Sequence, residues 1–197
     1  MTNAVQTKND LINVTIHGRG GQGAITASNL LCECAFRAGF KDVLDIPKIG
    51  AERRGAPIQG FVRLSRVNEI KMYTGVRNAD YTLVFDYTLL DIPSVVSSLS
   101  GIVLVNAPEF VNLDCIDPNL DVWIVDATGI SMNNGLLIAG FPILNTLILG
   151  AFAKMTGMYS LDIIKDVYKA RFGKNWEKNY IAAEQAYKSV KKVGRKI

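Results

Sequence analysis

Residues 12–36, INVTIHGRGGQGAITASNLLCECAF, constrain the fold more than any other stretch of this chain. Ile12, Val14 and Ile16 form a β-branched run that predicts a short strand. The next six residues are Gly18-Arg19-Gly20-Gly21-Gln22-Gly23, four of them glycine. Ala24, Ala27, Leu31, Cys34 and Ala38 then recur at helical spacing. A strand, a tight turn and a helix start bring free N–H groups and the positive end of a helix dipole to one point, which suits a phosphate. Close helix-to-strand packing explains one glycine better than four.

The letters also satisfy G-x-G-x-x-G through Gly18, Gly20 and Gly23, with Asp45 about 20 residues beyond the turn. That pattern by itself predicts dinucleotide binding, as in a stand-alone NAD-type dehydrogenase. Against it, Gly21, Arg19 and Gln22 give the turn more polar reach than a bare pyrophosphate loop requires, and the rest of the chain shows no clear acid or base for a substrate domain.

Further along, Lys41–Ile46 predicts a short buried strand stopped by Pro47. After the loop KIGAERRGAP, residues 58–65 and 69–73 predict a hairpin that adds antiparallel strands. Strands are expected at 81–85, 102–105 and 122–125, with a helix over 89–99 despite Pro93. Several of these strands run into Asp86, Asn106 or Asp126, which fits a doubly wound, mostly parallel sheet with helices on both faces and polar loops at its carboxyl edge. The C-terminal third predicts helices over 161–170 and 174–191.

No charge falls between Asp126 and Lys154, which raises the question of a membrane span. Pro142, Asn145 and several glycines interrupt the run, so the expectation is a buried loop followed by a core helix with Leu144, Leu147, Ile148, Ala151 and Met155 on one stripe. The 197 residues suit one α/β domain spanning 1–197, with flexible ends at 1–10 and 191–197. From Ser160 onward ten Lys or Arg face four Asp or Glu, yet no aromatic motif accompanies them, so nucleic acid is not an expected partner. Cys32, Cys34 and Cys115 make no C-x-x-C pair, which fits a reduced, cytoplasmic setting and no cluster or other metal on this chain.

Six motifs in order carry a resemblance: GRGGQG at 18–23, GAERRGAP at 50–57, VFD at 84–86, VNAP at 105–108, VDATGI at 125–130 and PILNTLILGA at 142–151. Together they resemble the gamma subunit of the 2-oxoacid:ferredoxin oxidoreductases of the pyruvate synthase type. The resemblance implies a complex of alpha, beta, gamma and delta-type subunits that oxidatively decarboxylates a 2-oxoacid to acyl-CoA and carbon dioxide. It implies thiamine diphosphate, magnesium and [4Fe-4S] clusters on the partner subunits, with electrons passing to ferredoxin. A gamma-type chain is associated with coenzyme A.

On that reading Gly18, Gly20, Gly21, Gly23 and the helix start are expected to hold a coenzyme A phosphate, with Arg19 adding charge and Gln22 orienting the pantetheine arm. Glu52, Arg53 and Arg54 are a second candidate patch, suited either to an anion or to a subunit contact. Asn145 is a candidate at the carboxyl edge. His17, the only histidine, sits just before the turn and is more often a held structural histidine than a base. Asp86 and Asp126 are expected to cap helices. No nucleophile elbow or P-loop lysine is present, so no catalytic residue is assigned. A purely structural subunit is the remaining alternative.

Overall fold

The computed structural model describes residues 10–48 and 54–194. Its centre is β1 (Leu11–Arg19), whose Val14 and Ile16 are fully buried. β1 lies between β3 (Pro57–Ser65), which is antiparallel to it, and β4 (Tyr81–Val84), which is parallel. Beyond β4 come β5 (Ile102–Asn106) and β6 (Val122–Val125), both parallel. The outer strands are β2 (Asp42–Lys48), antiparallel to β3, and β9 (Lys191–Lys192), antiparallel to β6. The order is therefore β2-β3-β1-β4-β5-β6-β9.

Helices cover both faces unequally. The thick face carries α1 (Ala24–Arg37), α4 (Asn145–Thr156), α5 (Leu161–Phe172) and α6 (Trp176–Ser189), packed on Val14, Ile16, Leu83 and Leu104. The thin face carries a 3-10 turn at Tyr87–Asp91 and the four-residue α2 (Pro93–Val96), packed on Val84, Val103 and Val105. The expected helix over 89–99 is thus divided: Ile92 is extended ahead of Pro93, as the proline ring demands. Because the chain leaves β1 on one face and β4 on the other, the sheet switches direction between them, and the carboxyl ends of β1 and β4 frame a crevice.

The antiparallel addition has a different second strand from the one expected. β3 pairs with β2, and residues 69–73 form no strand. Asp10 explains the exit: its carboxylate accepts the amides of Arg66 (3.1 Å), Val67 (2.8 Å) and Asn68 (3.1 Å) and turns the chain off the sheet. Buried Arg63 then donates to the carbonyls of Met72 and Gly75, consuming acceptors that a ladder would have used. β2 is a half-buried edge strand that runs through Pro47 to Lys48, since an edge tolerates the missing N–H.

The apolar run after α3 (Ala127–Asn133) also departs from expectation. Instead of a buried loop, residues 137–142 form a two-stranded hairpin, β7 (Leu137–Ile138) and β8 (Phe141–Pro142), with exposed Leu137, Ile138 and Phe141. α4 is buried from Thr146 through Ala153 on all sides, not along one stripe. A Cβ at Gly150 would lie 2.0 Å from the Ala183 carbonyl, so glycine lets α4 and α6 touch. No described helix is long and apolar enough to cross a membrane. Within the end expected to be flexible, Lys191 and Lys192 form β9, with ion pairs to Glu109 (2.6 Å) and Asp121 (2.8 Å).

Candidate functional site

The turn after β1 divides its own backbone donors into two sets. The Gly20 amide donates to the Ala56 carbonyl (2.9 Å) and the Gln22 amide to the Arg19 carbonyl (3.0 Å), so neither is available to a ligand. Gly21 (φ 94°) and Gly23 (φ 80°) take left-handed conformations open to glycine, and their amides have no partner among the described residues. Gly23 is the N-cap of α1, with no side-chain cap and no acidic residue in the first helical turn. The amides of Ala24, Ile25 and Thr26 likewise have no partner among the described residues. Gly18 serves packing, because a Cβ there would sit 3.0 Å from that of Ala24.

A second helix start meets the first. α4 begins at Asn145, and a Cβ at Gly23 would lie 2.9 Å from Asn145 Nδ2. Asn145 Oδ1 accepts the Thr146 amide (2.8 Å), while Nδ2 has no acceptor among the described residues. α4 likewise has neither a side-chain cap from its N-cap residue nor an acid in its first turn. Two positive helix ends and an amide donor thus converge on the turn. Arg54 completes the rim: its guanidinium carbon lies 4.2 Å above the Phe141 ring, and its Cγ is 3.9 Å from the ideal Cβ position of Gly21. Glu52 and Arg53 lie outside the described residues.

Arg19 and Gln22 are held in place by Asp86. Arg19 donates from Nε to Asp86 Oδ2 (3.0 Å), from Nη1 to the Gly55 carbonyl (3.2 Å) and from Nη2 to Thr88 Oγ1 (2.7 Å). Gln22 Nε2 donates to the same Asp86 oxygen (3.0 Å), and Gln22 Oε1 accepts the Arg19 amide (2.8 Å). Asp86 Oδ1 caps the 3-10 turn through the Thr88 amide (3.0 Å) and hydroxyl (2.6 Å). Burial alone would raise the Asp86 carboxyl pKa, but hydrogen bonds from Thr88 and Gln22 and the charge of Arg19 hold it below the ordinary carboxylate value. The cap expected of Asp86 is present, and the link from β4 back to the turn is an addition that sequence reading missed.

His17 faces the thin side of the sheet and is 1% exposed. Its Nε2 lies 3.4 Å from Ser98 Oγ and its Nδ1 3.4 Å from Gln59 Nε2. Ser98 Oγ donates to the Val95 carbonyl (2.7 Å), which leaves it to accept from His17 and assigns the proton to Nε2. Burial, then the charge of Lys48, pushes the His17 pKa down to about 4. The ring is a neutral structural element beneath the turn.

The other motifs also fasten strands together. Asn106 donates to the Phe85 carbonyl (2.9 Å) and Thr128 Oγ1 (2.9 Å), tying β4 and β5 to α3. Asp126 caps α3 by accepting the Gly129 amide (2.7 Å). Cys32 and Cys34 are buried in α1, and burial, reinforced by Asp45 and Glu33 respectively, pushes each thiol up to about 12. Among the described residues no group of three or more His, Cys, Asp or Glu could hold a metal ion.

Asp45 does not occupy a ribose-binding position. It sits mid-strand in β2, and β3 intervenes between β2 and β1, so two strand spacings, about 10 Å, separate it from β1. Its register opposite Val62, and so level with Val14, places it three residues short of the carboxyl edge at Lys48, and burial raises its pKa. The G-x-G-x-x-G letters therefore lack the acidic partner of a dinucleotide site.

Residues 13–189 match the family described as pyruvate ferredoxin/flavodoxin oxidoreductase. Pyruvate synthase subunit PorC of Methanothermobacter marburgensis is 40% identical over 187 residues, covering 93% of this chain and 100% of that protein. The common subunit gamma of the pyruvate/ketoisovalerate oxidoreductases of Pyrococcus furiosus is 43% identical over 183 residues, covering 90% and 96%. The crystal structure of pyruvate oxidoreductase subunit PORC from Thermotoga maritima superposes with a TM-score of 0.79 at 32% identity, over 94% of this chain and 100% of that one. A 2-oxoglutarate:ferredoxin oxidoreductase from Magnetococcus marinus, solved with 2-oxoglutarate, coenzyme A and succinyl-CoA, gives a TM-score of 0.74 at 18% identity. That match covers 94% of this chain and 32% of the longer one and shows a shared fold.

Proposed function

The chain belongs to the pyruvate ferredoxin/flavodoxin oxidoreductase family, and from that premise we propose that it works as the gamma subunit of a multi-subunit 2-oxoacid oxidoreductase by holding a phosphate of coenzyme A and closing the active site of its partners. The observation that carries the reading is the convergence of two helix starts without side-chain caps from their N-cap residues, α1 and α4, on an open glycine turn. The amides of Gly21, Gly23 and the first turn of α1 supply donors, Asn145 Nδ2 supplies another, and Arg54 supplies charge. Arg19 and Gln22 are positioning residues in this account. Each of their donor nitrogens bonds within the chain, to Asp86, Gly55 or Thr88, and these bonds fix both side chains and set the shape of the turn.

A protein of this fold is solved with coenzyme A, which supports the choice of ligand. In this reading alpha, beta and delta-type partners carry thiamine diphosphate, magnesium and [4Fe-4S] clusters, which supply decarboxylation and take electrons to ferredoxin. This chain contributes orientation: anchoring the phosphate end leaves the thiol arm free to enter the partners' active site, and an intramolecular approach replaces a bimolecular one.

Isothermal titration of the purified complex with coenzyme A tests the reading. Wild-type complex is expected to bind saturably, with Arg54→Ala weakening the affinity about tenfold, as for one charge-assisted contact. Equal affinity in wild type, Arg54→Ala and Asn145→Ala would favour a subunit that only seals the complex.

A further inference from the structure

The hairpin Leu137–Pro142 holds apolar side chains in water on a built support. Leu137, Ile138 and Phe141 are 47%, 68% and 53% exposed. Only two residue pairs, Leu137 with Pro142 and Ile138 with Phe141, form the hairpin, and none pairs with the main sheet. A hairpin so short is not stable by itself in water. Its base is locked nonetheless. Fully buried Ser131 donates its hydroxyl to the Leu136 carbonyl (2.6 Å) and accepts the Ile143 amide (3.0 Å), and the Leu136 amide donates to the Ser131 carbonyl (2.9 Å). The tip turns through Ala139 (φ 50°) and Gly140 (φ 80°), a left-handed conformation that an alanine rarely adopts.

We propose that this hairpin is the knob by which a partner subunit of the same oxidoreductase grips the chain, through an apolar groove with a carboxylate at its rim. The inference rests on the subunit reading above. Charge points to the groove's chemistry: residues 127–153 carry no charge, and the Arg54 guanidinium stacked on Phe141 puts a cation at the knob's edge. A second copy of this chain does not fit, because a two-fold contact through the knob would bring two Arg54 side chains together. The knob is also continuous with the glycine turn, since Arg54 touches both Phe141 and the space at Gly21. The groove that takes the knob therefore forms a wall beside the coenzyme A phosphate. α3, which packs against β8, carries a further exposed apolar side chain, Met132.

The test is co-expression of the full chain with its partner subunits and measurement of subunit stoichiometry by light scattering after size exclusion, in the absence of coenzyme A. Ile138→Asp is expected to leave the complex at least tenfold depleted of this chain, while the isolated variant melts as wild type does. Phe141→Ser is expected to act the same way. Phe36→Asp, at an equally exposed apolar position on α1, is expected to assemble normally. Wild-type stoichiometry with Ile138→Asp and Phe141→Ser overturns the proposal, as does a wild-type chain that dimerises through the knob or an equal loss with Phe36→Asp. No coenzyme A enters the measurement, so failure of the ligand reading leaves this result intact.

Discussion

Two strand-to-helix junctions stand at the same edge of the sheet and treat their backbone donors in opposite ways. After β6, Asp126 turns its carboxylate onto the Gly129 amide at 2.7 Å, and a Cβ at Gly129 would meet that carboxylate at 2.4 Å. The junction is closed by its own side chain. After β1, Gly23 offers no side chain, no acid follows in the first turn, and the amides of Gly21 and Gly23 have no partner among the described residues. β4 follows the closed pattern, with Asp86 capping the 3-10 turn. Where an aspartate serves the fold the donors are consumed, and where glycine stands they have no partner among the described residues.

That contrast extends to what lies beneath each junction. In the row of the sheet that holds His17, β4 has Val84, β5 has Val105 and β6 has Ile124. The largest effect expected is therefore from acid. His17 has a folded pKa near 4 against an ordinary 6.5, so the unfolded chain binds more protons between those values. The stability tied to keeping the ring neutral is fully present above pH 6.5 and is lost as pH drops through that window, the loss reaching on the order of 3 kcal/mol by pH 4. Denaturant titrations from pH 7.5 to pH 4 should show this slope in wild type and a much shallower one in His17→Gln.

Closing the open junction should come next in size. Gly23→Asp places a capping carboxylate and negative charge at the proposed phosphate site, in a conformation a side chain resists, and should weaken coenzyme A binding on the order of 100-fold, about 2.7 kcal/mol. Asp86→Ala frees Arg19 and Gln22 and removes the cap, with a stability loss of about 1–3 kcal/mol and a smaller loss of coenzyme A affinity, both read by calorimetry. Asp126→Ala should have the smallest effect, about 1 kcal/mol in stability with coenzyme A affinity unchanged. Equal loss of affinity in Asp126→Ala and Gly23→Asp would erase the distinction between the junctions.

The open junction was legible in the sequence because it is local: strand, turn and helix start fall within 25 letters, and each has its own period or composition. Asp86 was legible as a cap and not as the anchor of Arg19, since that bond joins residues 67 positions apart and depends on β4 lying beside β1. Strand pairing failed for the same reason. Residues 69–73 look as suited to β3 as Asp42–Lys48 do, and only the long-range bonds of Asp10 and Arg63 decide between them. The hairpin at 137–142 was read as a buried loop because hydropathy records what a side chain prefers, not where the fold places it.

The most direct test of the central claim is a structure of the assembled oxidoreductase with coenzyme A bound. The account predicts a phosphate oxygen about 3 Å from the amide of Gly21 or Gly23, the ordinary hydrogen-bond distance, with Arg54 beside it. A coenzyme A molecule whose phosphates all lie on partner subunits, with the turn facing bare solvent or protein, would contradict it.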